Sequence, residues 1–432
     1  MKINRQSLLL PGVLFVFPLK NGQICAMQFS SVIGQQNVKD QLLQMHRQNR
    51  LSHALLFLGK EGSGALALAL AFAQYLVCEK VNGKPSPAAQ AGPSLFGEET
   101  PINTPAALPV DSCGECAACV KAAKMIHPDI HFSFPVITKK TGESPVSNDF
   151  INEWRAFILA HPYGNLYDWL LAIGAENKQG NITARECNDM IHKMSLKSFE
   201  APYKIMILWM PELLGKEGNR LLKLVEEPAP DTLFILVAEN ESQILPTLLS
   251  RTQLVRVPRL HRSDIEQALQ QQNQPLPKAA QIAATSDGNF HEALQQLEQD
   301  EDDWETLLRN WLNTIIKTGP AEQVKWIETI AKLGREKQKQ FLKFFIQLLQ
   351  VAIRLRIMGD SQETRATAPG SMNDFALRLN KFSDITQQEA IITELDAASY
   401  YIERNANAKM LFHALTIRLY HIITNKSVIL VN

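Results

Sequence analysis

Residues Leu55 to Leu66 read LLFLGKEGSGAL, an apolar run followed by a glycine-rich loop that feeds the helical pattern ALALALAFAQYL. A strand, a loop and a helix in this order make the frame of a phosphate-binding P-loop, whose backbone N–H groups and helix N-terminus attract anions. Laid on G-x-x-x-x-G-K-[ST], the glycines fall at Gly59 and Gly64, with Gly62 between them. The lysine position, however, holds Ala65, and the Ser/Thr position holds Leu66. A methyl group cannot neutralise a β- or γ-phosphate, and leucine cannot ligate Mg²⁺. The stretch predicts a nucleotide-binding fold that has lost nucleotide chemistry, so neither ATP nor Mg²⁺ is expected as a cofactor. Taken alone, the three glycines also suit an ordinary strand-to-helix turn.

At 432 residues the chain suggests about two to four domains. Its 45% hydrophobic and 20% charged composition is that of a soluble globular protein, and 44 basic residues balance 44 acidic ones. That balance excludes a whole-molecule electrostatic footprint for nucleic acid while leaving room for a local basic face. Residues 1–27 join early basic residues to the apolar run Leu8 to Leu19 and imitate a secretory signal, but the run is too short to span a bilayer. We read them as an N-terminal extension from a start assigned too early, ahead of a domain opening at Gln28. No other segment is long and apolar enough to cross a membrane.

Four cysteines carry the metal signal. A Pro/Gly/Ala/Ser-rich passage over 81–112 reads as a loop insertion. It ends at CGECAAC, so that Cys113, Cys116 and Cys119 stand at two successive C-x-x-C spacings, with Cys78 before the loop. Four thiolates suit a closed tetrahedral Zn²⁺ site, which is structural because no position is left for water. Such a cluster in a chain of this size also indicates a reducing compartment, the cytoplasm. Cys25 and Cys187 are spare thiols, and His127 is an alternative ligand. His127, Pro128 and Asp129 read as a turn into the strand IHFSFPVI rather than as acid/base machinery.

A second insertion occupies 138–185, with Trp154, Phe157, Tyr163, Tyr167 and Trp169 among few basic residues. This is the pattern of a packed helical insertion rather than of a base-stacking surface. Thr183 N-caps the next helix, with Glu186 completing a capping box. KIMILWM is a buried strand at whose end a Walker B element would set a Mg²⁺-coordinating aspartate and a catalytic glutamate. Those positions carry Trp209 and Met210, and Glu212 is the nearest carboxylate. Asn219 to Glu227 predicts an amphipathic helix stopped by Pro228. Leu233 to Val237 predicts another central strand, and Ile244 to Leu249 a short helix ending at Ser250, Arg251 and Thr252.

The order of IGQ at Ile33 to Gln35, the P-loop frame, the cysteine triplet, HPD, NRLLKLVEEPAPDTLFILV and LPTLLSRT resembles the bacterial clamp-loader branch of the AAA+ ATPases. The resemblance is clear over Gln28 to Val257 and looser beyond. It implies an α/β AAA+ P-loop NTPase-like core with a parallel sheet over 28–258, an all-helical lid over 259–303 and an all-helical collar for oligomerisation over 304–432. Cys78 lies thirteen residues after Ala65, where this family's first zinc cysteine is expected. Active loader motors carry the P-loop lysine and threonine, the Walker B acidic pair and a lid arginine. Here those positions hold Ala65, Leu66, Trp209, Met210 and His291, and all five departures remove charge or metal ligation for ATP.

What survives is Arg251. In clamp loaders the arginine of a Ser-Arg-Cys motif projects into the neighbouring subunit's ATP site, where it stabilises charge on the transferred phosphoryl group. Thr252 replaces the cysteine. Without that context Arg251 would read as a helix C-terminal cap. The resemblance therefore implies a non-hydrolysing subunit of the DNA polymerase III clamp loader, with no polymerase chemistry of its own. Its implied partners are gamma/tau-type ATPase and delta-type subunits and, through the complex, the sliding clamp and primer-template DNA. The alternatives are an ATP-hydrolysing gamma/tau-type motor and a zinc-dependent DNA-binding module. SDIEQALQQQ, AAQIAATSDG and NFHEALQQLE predict three lid helices, and Asp300 to Asp303 an acidic hinge. Phe341, Phe344, Phe345, Leu348, Leu349, Ala352 and Leu355 trace an apolar helix face. Gly359 to Ser371 reads as a loop before two or three last helices.

Overall fold

A computed structural model describes residues 27–83, 109–138, 144–175, 178–298, 304–317, 319–358, 370–404 and 406–425. The N-terminal extension before Met27 and the acidic hinge lie outside the described residues, as do most of the 81–112 insertion and of the loop expected at Gly359 to Ser371. The chain divides into two compact units, the first running to Asp264 and taking in Gly288–His291, the second holding the rest.

The first unit is built on five parallel strands in the order β2-β3-β4-β1-β5. They are β1 (Ala54–Leu58), β2 (Ile130–Ser133), β3 (Lys204–Trp209), β4 (Thr232–Ala238) and β5 (Gln253–Arg256). The three inner strands ALLFL, KIMILW and TLFILVA are near-continuous apolar runs, as expected where helices cover both faces. The edge strand β5, QLVR, buries only Val255 fully. In the register, Phe57 of β1 lies between Val237 of β4 and Val255 of β5.

The flanking helices are α1 (Gln36–Arg47), α2 (Ala65–Val77), α3 (Ala117–Ala123), α4 (Ile151–Ala160), α5 (Leu166–Ala172), α6 (Ala184–Ser195), α7 (Leu222–Glu226) and α8 (Pro246–Leu249). All of α2 is buried, which its Ala/Leu sequence permits, with Gln74 and Tyr75 donating to Ser112 Oγ and Pro109 O at 3.0 Å. Phe72 of α2 stacks on Phe57 at 6.4 Å on one face of the sheet. On the other face Met190 and Met194 of α6 pack with Leu56, Met206 and Phe234.

The aromatic insertion is interior, as its composition predicts. Trp154 of α4 and Trp169 of α5 are at most 1% exposed. Trp154 stacks on Phe134 at 4.1 Å, meets Trp169 edge to face at 5.2 Å, and reaches Trp209 at 5.2 Å. A surface for stacking bases is thus absent from these rings.

Two local expectations change. Thr183 caps α6 by accepting the Glu186 N–H at 3.2 Å, but the Glu186 carboxylate does not close the box. It accepts the N–H of Ser147 at 2.7 Å instead, satisfying a buried backbone donor of the insertion. The helix expected from Asn219 to Glu227 is present but starts tighter: Asn219 to Leu221 close the 3-10 segment Pro211–Leu221, which is broken upstream by Gly215 at φ 52°, and α7 supplies Leu222–Glu226. Gly215 adopts a backbone geometry that interrupts the helical run.

His127, Pro128 and Asp129 form the turn that the sequence suggests, and the turn has a structural use. The Asp129 carboxylate accepts the N–H groups of Phe199, Glu200 and Ala201 at 2.5 to 2.8 Å. Burial disfavours its charge, yet the three backbone donors outweigh burial and hold its pKa below the usual carboxylate value. We expect Asp129→Ala to destabilise the first unit by about 3 kcal/mol, since three donors lose their acceptor. Because the folded pKa is depressed, this stabilisation is complete above the ordinary carboxylate range and is lost as pH falls through the lowered value. In urea titrations the gap between wild type and variant should therefore narrow as pH falls below the ordinary carboxylate range.

Three short helices follow, α9 (Arg262–Gln271), α10 (Leu276–Thr285) and α11 (Phe290–Glu298), at the positions expected. The second unit continues through α12 (Trp304–Ile316), α13 (Pro320–Ala331), α14 (Arg335–Met358), α15 (Gly370–Phe382), α16 (Ile385–Glu403) and α17 (Ala408–Asn425). Its core gathers the predicted face of α14, with Phe341, Phe345, Leu348 and Ala352 fully buried. Trp311 and Trp326 stack at 4.6 Å, and the Trp311 indole donates to Thr416 Oγ1 at 3.0 Å. Gly370 and Ser371 belong to α15 rather than to the preceding loop. Among the described residues no helix is long and apolar enough to cross a membrane.

Candidate functional site

In open parallel sheets ligands bind beyond the carboxyl ends of the strands, where the strand order switches direction. Here that place lies past β1, β3 and β4, and the P-loop occupies it. Gly59 donates to Ala238 O at 3.0 Å, tying the loop to β4. Gly62 and Gly64 have φ of +69° and +85°, and a Cβ on Gly62 would fall 1.8 Å from Asn289 Oδ1. The loop therefore needs glycine for its path and for what packs on it. Gln35 of the IGQ segment donates to Ser63 O at 3.0 Å and Pro258 O at 2.6 Å, a tie that the motif order located without explaining.

The cavity at this loop measures about 30 Å³ and is lined by Gly59, Gly62, Gly64, Ala65, Leu66 and Trp209, among others. Ala65 and Leu66 are themselves buried. Sites for small ligands enclose about 300 to 1,000 Å³. Room for roughly one water remains where a nucleotide would need ten times more. Met210 takes a left-handed backbone at φ 58°, turning the chain away after β3. Glu212 does not substitute for the missing acids. Its carboxylate accepts the N–H groups of Glu239 at 2.6 Å and Asn240 at 2.8 Å, and burial raises its pKa.

His291, in the lid-arginine position, is brought to the same region. Its Nδ1 lies 3.4 Å from Asp168 of α5 and its Nε2 3.9 Å from Glu61 of the P-loop. The structure thus gathers the P-loop, Trp209 and His291, but with a histidine tied to two carboxylates in place of a guanidinium facing phosphate. The approach of the second insertion, through Tyr163 and Asp168, had no sequence signal beyond its aromatic content.

Arg251 is not among the residues that line this cavity. It follows α8 on the surface, its side chain 33% exposed. Nη1 donates to Thr247 O at 2.7 Å and to Ser250 Oγ at 3.1 Å, so the capping contact is made. Nε and Nη2 pair with Glu226, the first glutamate of EEP. That partner was not foreseen.

The four cysteines converge. Sγ atoms of Cys78, Cys113, Cys116 and Cys119 lie within 4.8 Å of one another, and Cys113 and Cys119 are 3.8 Å apart. A tetrahedron with Zn–S of about 2.3 Å has edges of about 3.8 Å, so the set fits such an ion. The N–H groups of Cys113, Cys116 and Cys119 point at sulfurs of Cys78, Cys113 and Cys116 at 3.3 to 3.4 Å, which favours thiolates. The hydrogen bond from Cys119 draws the Cys78 thiol down to about 4, while Cys119 itself is pushed up. Cys187 is buried in the sheet core, and His127 bonds the Asp129 N–H at 3.1 Å, so neither belongs to the cluster.

The fold and site together define a P-loop α/β protein whose loop carries Ala65 and Leu66 at the positions of the motif's lysine and Ser/Thr, beside a cavity of about 30 Å³. The family model described as DNA polymerase III, delta subunit, matches residues 34–95 and 102–261, more than half of the sequence. The chain belongs to this family. It is 26% identical over 253 residues to DNA polymerase III subunit delta' of Bacillus subtilis, covering 59% of this chain and 56% of that one. The corresponding delta' of Pseudomonas aeruginosa is 26% identical over 201 residues, 46% of this chain and 41% of that one. Subunit tau of Bacillus subtilis is 24% identical over 283 residues, 63% of this chain and 37% of that one. The alignments thus span about half the length of these relatives or less, and they reach both delta' and tau.

Proposed function

We propose that this chain is a delta-prime-type subunit of the DNA polymerase III clamp loader that neither binds nor hydrolyses ATP itself. It holds a structural zinc ion at Cys78, Cys113, Cys116 and Cys119, and it works in the cytoplasm beside gamma/tau-type ATPase and delta-type subunits. Arg251 acts in trans, at a neighbouring subunit's ATP site, and the assembly loads the sliding clamp on primer-template DNA.

The observation that carries this reading is the contrast between two places on one unit. The P-loop cavity of about 30 Å³ is lined by Ala65, Leu66 and Trp209, none of which can pair with a phosphate or ligate a metal, while Arg251 stays partly exposed outside it. A guanidinium acts on a phosphoryl group only if it can reach one, and Arg251 lies outside the P-loop cavity of its own chain. Glu226 keeps the planar fork oriented at the surface until a more strongly charged acceptor replaces it. Family members that burn ATP, such as tau-type subunits, are the competing reading. Calorimetric titration of the full chain with Mg²⁺-ATP separates the two: we expect no saturable binding up to about 1 mM, a free energy weaker than about 4 kcal/mol. A micromolar site would assign the chain to the motors.

A further inference from the structure

The missing lysine explains why this P-loop would not hold phosphate, but it does not explain why the space itself is gone. That space is filled by the second insertion. Between α4 and α5 the turn His161–Gly164 reaches over the P-loop, and Pro162, Tyr163 and Gly164 all line the remaining cavity. Tyr163 is 8% exposed. Its ring lies so close to Gly64 that a Cβ there would come within 2.8 Å of Cε1. Its hydroxyl oxygen accepts the Ile33 N–H at 2.8 Å, and its ring meets Phe290 edge to face at 5.0 Å.

The turn is held from both sides. Before it, the His161 N–H donates to Phe157 O at 2.7 Å, and Phe157 and Trp154 pack on Trp209 in the Walker B position. After it, Asn165 and Asp168 close a capping box on α5, and Asp168 faces His291 at 3.4 Å. A ring anchored by a hydroxyl, an aromatic partner and two capped helix ends is preorganised, so a ligand would have to unpack it before entering.

We infer that segment 161–164 is a built-in stopper of the nucleotide site, with Tyr163 as the occluding side chain. This rests on the silent-site reading above and goes beyond it: nucleotide is excluded by occupancy as well as by lost chemistry. Restoring the chemistry alone is then insufficient. The test uses the full chain and calorimetry with Mg²⁺-ATP on three proteins: wild type, Ala65→Lys/Leu66→Thr, and that pair combined with Tyr163→Ala. Folding of each is checked by circular dichroism. The restored pair should remain without saturable binding, and the triple variant should bind at least about tenfold more tightly than the pair. Tyr163→Phe in the restored background should stay closed, because the ring remains. Tyr163→Thr, which likewise removes the ring, serves as a second opening variant should the alanine variant not fold. Equal binding by the restored pair and the folded opened variants overturns the stopper and leaves the silent-site reading intact. Tight binding by wild type overturns the silent-site reading itself.

Discussion

Arg251→Ala is expected to leave this chain folded and its assembly intact while removing most of the turnover at the neighbouring ATP site proposed for Arg251. The fold is safe because the side chain is a surface group. Its pair with Glu226 is partly exposed on both sides, and such pairs contribute about 1 kcal/mol or less. Turnover is not safe, because an arginine supplied in trans contributes about 10³ to 10⁵ in rate to phosphoryl transfer. The measurement is DNA-stimulated ATP hydrolysis by the reconstituted loader, alongside gel filtration to show that the complex still forms. Lysine at 251 should rescue little, since a point charge does not reproduce the fork that now spans Glu226, Thr247 and Ser250. Undiminished turnover would leave the Thr247 and Glu226 contacts as the residue's whole use. Glu226→Gln sharpens the experiment. It releases the guanidinium from its charged partner without touching the arginine, so an effect on turnover opposite in sign to that of Arg251→Ala is expected if the pair competes with the neighbour's phosphate.

The parallel core was legible because strands buried on both faces must be apolar throughout, and ALLFL, KIMILW and TLFILVA are. The same held for α14, whose apolar stripe at helical spacing is the face that the structure buries. The cysteine cluster was legible from the short spacings at 113, 116 and 119, but the part of Cys78 needed a fold to bring it across 35 positions. What periodicity could not give were contacts made by one residue reaching across sequence. Tyr163 on Gly64 and Ile33, Asp168 on His291, Asp129 under Phe199 to Ala201, and Glu226 on Arg251 all join segments far apart in the chain. Composition marked the second insertion as packed; it held no sign of which pocket the insertion packs into. Capping was half legible for a similar reason. Thr183 answers to its own helix, whereas Glu186 was diverted by Ser147, a residue 39 positions earlier.

Loss of one cysteine from the cluster is expected to cost more stability than any surface change in this chain. Structural zinc binds with apparent free energies of about 10 to 16 kcal/mol at neutral pH, so metal binding and local folding are one event. Here the ion would join the C-terminal end of α2, through Cys78, to the knuckle that starts α3, through Cys113, Cys116 and Cys119. Cys116→Ser should abolish stoichiometric zinc, which plasma emission measures directly as about one metal per chain before and none after. The consequence should be local. Segment 109–126 keeps other ties to the core: Tyr75 donates to Pro109 O at 3.0 Å, Gln74 to Ser112 Oγ at 3.0 Å, and the Asp111 carboxylate accepts the N–H groups of Phe29 and Ser30 at 2.9 Å. Amide exchange should therefore accelerate in α3 and its preceding loop while strands β1, β3 and β4 keep their protection. A chelator should reproduce the pattern in wild type, and adding zinc back should reverse it. A native, metal-free preparation in which α3 is as protected as in the zinc-loaded protein would remove the site, for then the four sulfurs would be holding their places by packing alone.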